Sequence, residues 1–218
     1  MVEVRQKLIE VFNRWGKGGA MRVDNGEPLG CPQSGMSSIL ALWLIAHDID
    51  MIFNKPRCPQ QNAKVEKMQD VSSRWAEIHL ATNLADLQTR LDRKAIFQRT
   101  EFPVSRLENQ TRLYKYPELE TSRRVFDENT FDPNRAYQFL AKKSYVRLVS
   151  KKGQIFQFGK RVSVGVKYAS QTVEVKFEPQ NCSWKVYSKN LLVKIFEADN
   201  LQKDKISNLI PFMSKNAT

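Results

Sequence analysis

The sequence predicts a mixed α/β protein, in which an α/β layer is followed by a small all-β antiparallel barrel. Helix-like and strand-like segments alternate over residues 1–98, which is the pattern of an α/β layer. From residue 144 onward the apolar period changes from about 3.6 to about 2, the period of strands. With 218 residues and 41% apolar content, the chain can bury a sizeable core.

The first helix and the first strand are predicted within residues 4–23. Apolar residues fall on one helical face over residues 4–15, and Gly16 provides a C-cap. Residues 20–23 then predict a short strand that ends at the turn sequence Asp24-Asn25-Gly26. Asp24 should therefore lie at the tip of this strand.

A second helix and strand follow after an irregular segment rich in glycine and proline. Residues 39–46 are apolar on nearly every side, so we expect a buried helix, with Ser37 or Ser38 as its N-cap. Residues 51–53 predict the second strand.

A long third helix is predicted from about residue 60, and its apolar pattern continues past a break. The spacing places Val65, Met68 and Trp75 towards the core. Glu66 should then lie on an accessible face of this helix.

Residues 99–131 carry prolines and many charges without a sustained period, and we expect an extended surface connector. Asp132-Pro133 predicts a short helix through residue 142, since it supplies an N-cap and a proline at the first helical position. Five short strands are predicted between residues 145 and 198, one of them from the alternation over residues 161–168. A closing helix is expected near residues 201–210.

The domain organisation follows from these elements. We predict an α/β core at 1–98, a connector with a short helix at 99–143, a small β-barrel at 144–200, and a C-terminal helix and tail at 201–218.

The net charge of +12 is concentrated at the C-terminal end. Residues 140–218 hold 15 Lys and Arg against 5 Asp and Glu, whereas residues 1–139 hold 20 against 18. Clustered positive charge predicts a polyanionic partner, because phosphate neutralisation releases condensed counterions.

Several classes of protein are excluded by composition. No apolar run reaches the roughly 18 residues of a membrane span, and the first residues are charged rather than signal-like. The three cysteines and two histidines do not lie at zinc-ligand spacing. We expect no membrane association, no zinc and a cytoplasmic location.

Two carboxylates stand out by their position. Asp24 ends a predicted strand and Glu66 lies on the helix after the next strand, so an α/β sheet can bring them to one edge. Carboxylates are ligands for hard divalent ions, and two ions about 4 Å apart can drive phosphodiester chemistry. Mg²⁺ or Mn²⁺ is the expected cofactor.

The residues around both carboxylates resemble a known family. Met21-Arg-Val-Asp-Asn-Gly26 looks like the "DNG" strand end of the DDE transposase and retroviral integrase core. Residues 54–67 look like the "P-x-x-P-x-x-N-G-x-V-E" start of the catalytic helix in the same core. The resemblance is strongest between residues 20 and 80. The chain is also similar to bacterial transposases that have this core.

The resemblance implies an RNase H-like fold that uses two metal ions for strand transfer in DNA transposition and integration. Asp24 matches the second and Glu66 the third of the family's three metal-binding carboxylates. Ala63 replaces the usual glycine, the spacing of 41 residues between Asp24 and Glu66 is longer than usual, and the first Asp has no counterpart. We therefore expect a core truncated by its first three strands, with weak metal binding and no activity alone.

Basic and polar residues on the catalytic helix and near the barrel are candidate DNA contacts, although a solvated helix face is the simpler explanation for the helical ones. The candidates are Asn62, Lys64, Lys67, Arg74, Lys142, Lys143, Lys151, Lys152, Lys160, Arg161 and Lys167. Tyr168 and Trp184 either stack on bases or belong to the core.

Two functional hypotheses follow. In the first, the chain is a transposase fragment that acts on transposon ends and target DNA in the bacterial cytoplasm, at the nucleoid. In the second, it is a non-enzymatic DNA-binding fragment that regulates full-length transposase by occupying DNA ends or by association with that protein or with itself. Metal-dependent nicking, which only the enzyme carries out, distinguishes them.

Overall fold

Helices and strands alternate in the N-terminal part of the chain, as the sequence predicts. The computed structural model describes residues 2–30, 37–55, 57–121 and 124–210. Its first elements are α1 (Val2–Trp15), β1 (Ala20–Val23), α2 (Ile39–Ala46) and β2 (Asp50–Phe53). β1 and β2 pair in parallel, and the Ser38 hydroxyl accepts a hydrogen bond from the Ala41 amide at 3.1 Å, which confirms the predicted cap.

The chain divides into two units, one inserted in the sequence of the other. Unit 1 comprises Met1–Phe53 and Phe126–Thr218, and unit 2 comprises Asn54–Val125. The segment boundaries at residues 98, 143 and 200 stay predictions.

Unit 2 is helical. Its elements are α3 (Ala63–Ala76), α4 (Leu84–Thr100), α5 (Arg112–Lys115) and α6 (Glu118–Thr121), with short 3-10 turns between some of them. Asn83 caps α4 by accepting from the amides of Ala85 and Asp86, both at 3.0 Å. The short helices α5 and α6 occupy part of the segment for which we expected an extended connector.

The second part of unit 1 begins with α7 (Pro133–Ala141). The Asp132 carboxylate accepts from the Asn134 amide at 3.0 Å, so the predicted capped helix is confirmed. The remaining elements are β3 (Ser144–Leu148), β4 (Gln154–Gln157), β5 (Lys160–Ser163), β6 (Thr172–Glu178), β7 (Ser183–Ser188), β8 (Leu191–Glu197) and α8 (Lys203–Ser207).

These strands form two antiparallel sheets. A four-stranded sheet has the order β3-β6-β7-β8, and β4 pairs with β5 in a separate hairpin. The structure therefore has six strands between residues 144 and 197, where we expected five. Within the described residues no closed barrel is found, so the barrel stays a prediction.

The predicted strand over residues 161–168 is wrong in its second half. β5 ends at Ser163, Gly165 has a φ of +114°, and Val166–Tyr168 form a 3-10 turn. The alternation of valines is genuine, but the backbone turns at Gly165, where a residue without a Cβ can adopt this φ. The closing helix is also shorter than expected, since α8 spans Lys203–Ser207.

The core of unit 1 is built around α2. All eight residues of α2 are buried, and this helix contacts β2, α7 and α8. Trp43 packs on Phe126 with ring centroids 5.9 Å apart. A second aromatic cluster surrounds Trp184, which stacks on Phe158 at 5.2 Å.

None of the helices in the described part of the chain is both long enough and apolar enough to cross a membrane.

Candidate nucleic-acid interface

One end of the β-structure in unit 1 is formed by two turns that lie in contact. The Gly153 carbonyl accepts hydrogen bonds from the amides of Val164 at 2.8 Å and Gly165 at 3.1 Å. A Cβ on Gly153, which has a φ of +72°, would lie 2.5 Å from the Gly165 carbonyl carbon. Glycine at residue 153 therefore allows the turn at residues 150–153 to pack directly on the backbone at residues 164–166.

This contact gathers three of the predicted DNA-binding lysines. Lys151 and Lys152 lie exposed on the first turn, and Lys167 lies exposed on the 3-10 turn beside it. Among the described residues, none of the three forms an ion pair. The Lys167 ammonium lies 5.0 Å from the centroid of the half-buried Tyr168 ring. We name Lys151, Lys152 and Lys167 the basic end.

Arg161 is exposed on β5, in the hairpin that leads to the basic end, and it pairs across the hairpin with Phe156. Lys142 is exposed at the end of α7. Both remain available to a phosphate.

Two other predicted DNA contacts, Lys160 and Lys143, already interact with side chains inside unit 1. The Lys160 ammonium lies 2.6 Å from the Asp199 carboxylate, so its charge is largely compensated. Lys143 is half-buried, with its ammonium 4.6 Å from the Phe139 ring centroid and 5.4 Å from that of Phe53. Burial lowers the pKa of Lys143.

The predicted contacts of unit 2 lie on or next to α3. Lys67 and Arg74 both approach the Asp70 carboxylate, at 3.6 and 2.9 Å. Lys64 is exposed and, within the described residues, has no ion-pair partner. The α3 face is thus partly neutralised, in contrast to the basic end.

Two hydrogen bonds fix the loop that leads to α3. The Asn54 side-chain amide donates to the Asn62 side-chain oxygen at 2.5 Å, and the Lys55 amide donates to the Gln61 side-chain oxygen at 3.0 Å. Asn62 therefore has a structural partner already. These hydrogen bonds join the two ends of the loop. Glu66 follows in the first turn of α3, where its side chain is exposed.

Asp24 directly follows β1, as predicted, and is exposed. One of its carboxylate oxygens accepts from the Gly26 amide at 2.9 Å, which is an Asx turn. A Cβ on Gly30 would lie 2.2 Å from the Asn25 carbonyl oxygen. The segment after β1 is therefore a tightly closed loop with Asp24 at its base.

The two candidate metal ligands belong to different units, Asp24 to unit 1 and Glu66 to unit 2. Their carboxylates are of the donor type that Mg²⁺ and Mn²⁺ prefer. Within the described residues, no three His, Cys, Asp or Glu side chains converge into a group that could hold a metal ion. The donor chemistry of both residues fits these ions, and we derive no reaction step through a metal.

The two aromatic candidates differ in access. Trp184 is only 1% exposed and belongs to the core, so it cannot stack on a base. Tyr168 is half-buried beneath the Lys167 ammonium at the basic end. Sequence reasoning did not connect Lys167 with Lys151 and Lys152, because the contact between their turns depends on two glycines in separate elements.

No model of a known protein family matches this sequence.

Proposed function

We propose that this chain binds DNA through the basic end and acts in DNA transposition and integration as a relative of DDE transposases. The observation that carries the proposal is the gathering of Lys151, Lys152 and Lys167, all exposed and without ion pairs among the described residues. Their spacing over two neighbouring turns suits the phosphates of a nucleic acid, because such contacts need charge and access but no base readout.

The transposase part of the proposal rests on the resemblance around the two carboxylates. Its support is the local arrangement: Asp24 at the end of a parallel strand, and Glu66 in the first turn of a helix reached through a clamped loop. In the family this arrangement serves metal-dependent strand transfer, so Asp24 and Glu66 are the proposed catalytic and metal-binding residues, with Mg²⁺ or Mn²⁺ as cofactor. For the β-structure of unit 1 we further propose a barrel that binds DNA with little sequence preference.

A second candidate function is a DNA-binding protein without catalysis that regulates a full-length transposase. One observation favours it: the basic end lies in unit 1, whereas Glu66 lies in unit 2. DNA binding therefore does not depend on a complete set of carboxylates.

The salt dependence of DNA binding tests the common part of both candidates. We compare the whole chain with the variant Lys151→Ala/Lys152→Ala/Lys167→Ala on a labelled duplex of about 30 base pairs, between about 50 and 200 mM salt. If each lysine neutralises one phosphate, the slope of log K against log salt falls by about 3 in the variant. Fluorescence anisotropy measures it.

A matched control removes three lysines that are ion-paired. The variant Lys176→Ala/Lys185→Ala/Lys205→Ala loses the same charge, but these ammonium groups lie 3.2, 2.5 and 3.3 Å from carboxylates. We expect its slope to change by less than about 1. Equal losses in both variants would show that only net charge matters and would remove the basic end from the proposal.

Nicking separates the enzyme from the binding protein. Because this chain is expected to be inactive alone, the assay with Mn²⁺ uses a version extended upstream by the three strands that the family resemblance implies. Cutting of a labelled duplex by the extended version, abolished by Glu66→Gln, supports the transposase. Binding at the basic end by an extended version that does not cut supports the second candidate.

A further inference from the structure

An apolar groove lies within unit 2, away from the basic end in sequence and in another unit. It encloses about 510 Å³, and its floor is formed by Met68, Val71, Trp75 and Phe102. The Trp75 ring packs edge-on against Phe102, with centroids 4.8 Å apart. A groove of this volume is in the range that binds specific ligands.

The sequence predicts that the apolar stripe of α3 faces a core, and in the described structure this prediction is wrong for Val65 and Met68. Met68 is 49% exposed and Val65 is 56% exposed. Exposed apolar stripes of this kind mark surfaces that another molecule covers.

The rim of the groove is positively charged. Lys64 and Lys67 line it from α3, Arg106 from the segment between α4 and α5, and Arg112 from the start of α5. Lys67 is partly compensated by Asp70 at 3.6 Å. Arg112 is held in place because its guanidinium donates to the Gln98 carbonyl at 2.7 Å.

Gln98 also lines the groove and is 4% exposed, and its backbone carbonyl is the acceptor of the hydrogen bond from Arg112.

We propose that this groove binds an acidic amphipathic helix of a partner protein. The helix would place its apolar face on Met68, Val71 and Trp75 and its carboxylates against the basic rim, which is the helix-in-groove mode of recognition. From Ala63 to Trp75 the α3 side of the groove extends about 18 Å, enough for about 12 helical residues. Aliphatic side chains that are half exposed favour a peptide over a nucleic acid, because a DNA backbone cannot cover them.

The test uses the full chain and synthetic peptides of about three helical turns. The acidic probe has leucines on one face and glutamates on the other, and the basic probe carries lysines in place of the glutamates. We expect the acidic probe to bind and the basic probe to bind at least about tenfold more weakly, since like charges would face each other across the rim. A peptide with scrambled order should not bind.

Two variants then locate the site. Lys64→Glu/Arg106→Glu should weaken the acidic probe about tenfold and strengthen the basic probe, because the rim charge is reversed. Met68→Glu should weaken the acidic probe by a similar factor, because it places a charge on the apolar floor. Lys115→Glu and Leu84→Glu are matched controls in unit 2 that do not line the groove.

Outcomes that overturn the proposal are distinct from a failure of DNA binding. Equal binding of both probes, or acidic-probe binding unchanged in both groove variants, would exclude this occupant. Displacement of the acidic probe by duplex DNA, with loss of duplex affinity in Lys64→Glu/Arg106→Glu, would assign the groove to nucleic acid. Removing the basic end should leave probe binding unchanged.

Discussion

The two units of this protein bury their apolar residues to very different extents. In unit 1, all eight residues of α2 are buried. In unit 2, only Ala76 of the fourteen residues of α3 is buried, and Val65 and Met68 are about half exposed. Both helices carry the apolar pattern of a core element, so the pattern predicts which face is apolar but not whether anything covers it.

The difference has a simple geometrical origin. α2 contacts β2, α7 and α8, which close around it. α3 contacts α4 within its unit, and two helices side by side cover only one face of each other. Unit 1 therefore has a closed core, whereas unit 2 keeps an open apolar groove.

The largest expected effect comes from truncating a tryptophan in each unit. Trp43 is 1% exposed on α2, so Trp43→Ala should lower the free energy of unfolding by about 3–5 kcal/mol. Trp75 is half-buried, and Trp75→Ala should cost about 1–2 kcal/mol. Urea unfolding followed by circular dichroism measures both. Equal costs would mean that unit 2 is as closely packed as unit 1.

The largest pH effect is expected from His47 in unit 1. His47 is 2% exposed among aromatic rings, with its centroid 4.5 Å from that of Trp43 and 4.9 Å from that of Phe126. Burial, reinforced by the charges of Lys17 and Arg5, lowers the pKa of His47 to about 4.

The sign of the effect follows from the proton balance. Below pH 6.5 the unfolded chain protonates His47, whereas the folded chain keeps it neutral until about pH 4. The contribution of His47 to stability is therefore fully present above pH 6.5. The free energy of unfolding should fall by about 3 kcal/mol as the pH drops to about 4. Urea unfolding at several pH values measures this loss.

Substitutions of the two histidines isolate the contribution. His47→Phe should remove this part of the pH dependence, because the ring stays in the aromatic cluster without a titrating group. His79→Phe, at an exposed position in unit 2, should leave it in place. If the His47→Phe protein lost stability with the same pH profile as the unsubstituted chain, other groups would be responsible.

The smallest expected effect concerns the end of α3 in unit 2. Glu77 is the C-cap residue with a φ of 49° and a ψ of 52°, a left-handed conformation that glycine adopts without cost. Glu77→Gly should stabilise the end of α3 by about 1 kcal/mol relative to Glu77→Ala, since both remove the carboxylate and only glycine removes the strain. Hydrogen exchange of the last α3 amides reports this difference, and identical protection in both variants would contradict it.

Local features of the fold could be predicted because they depend on residues close in sequence. The caps at Ser38 and Asp132, the strand before Asp24 and the apolar helix α2 are all set within a few residues. The backbone turn at Gly165 could not be predicted, because it depends on the contact with Gly153.

The candidate sites were predictable only in part, for the same reason. The sequence shows that Lys151, Lys160 and Lys167 are basic. It does not show that the Lys160 ammonium lies against the Asp199 carboxylate. The groove residues Arg106 and Arg112 lie in a segment without any apolar period, so no pattern indicated them.

The insertion of unit 2 within unit 1 also affects how the protein is made. α2 is apolar on every side, but its contacts α7 and α8 lie at Pro133–Ala141 and Lys203–Ser207. At a synthesis rate of about 5–20 residues per second, α2 leaves the ribosome roughly 8–32 s before both partners are available. During translation α2 is therefore an exposed apolar segment, which favours aggregation until the chain is complete.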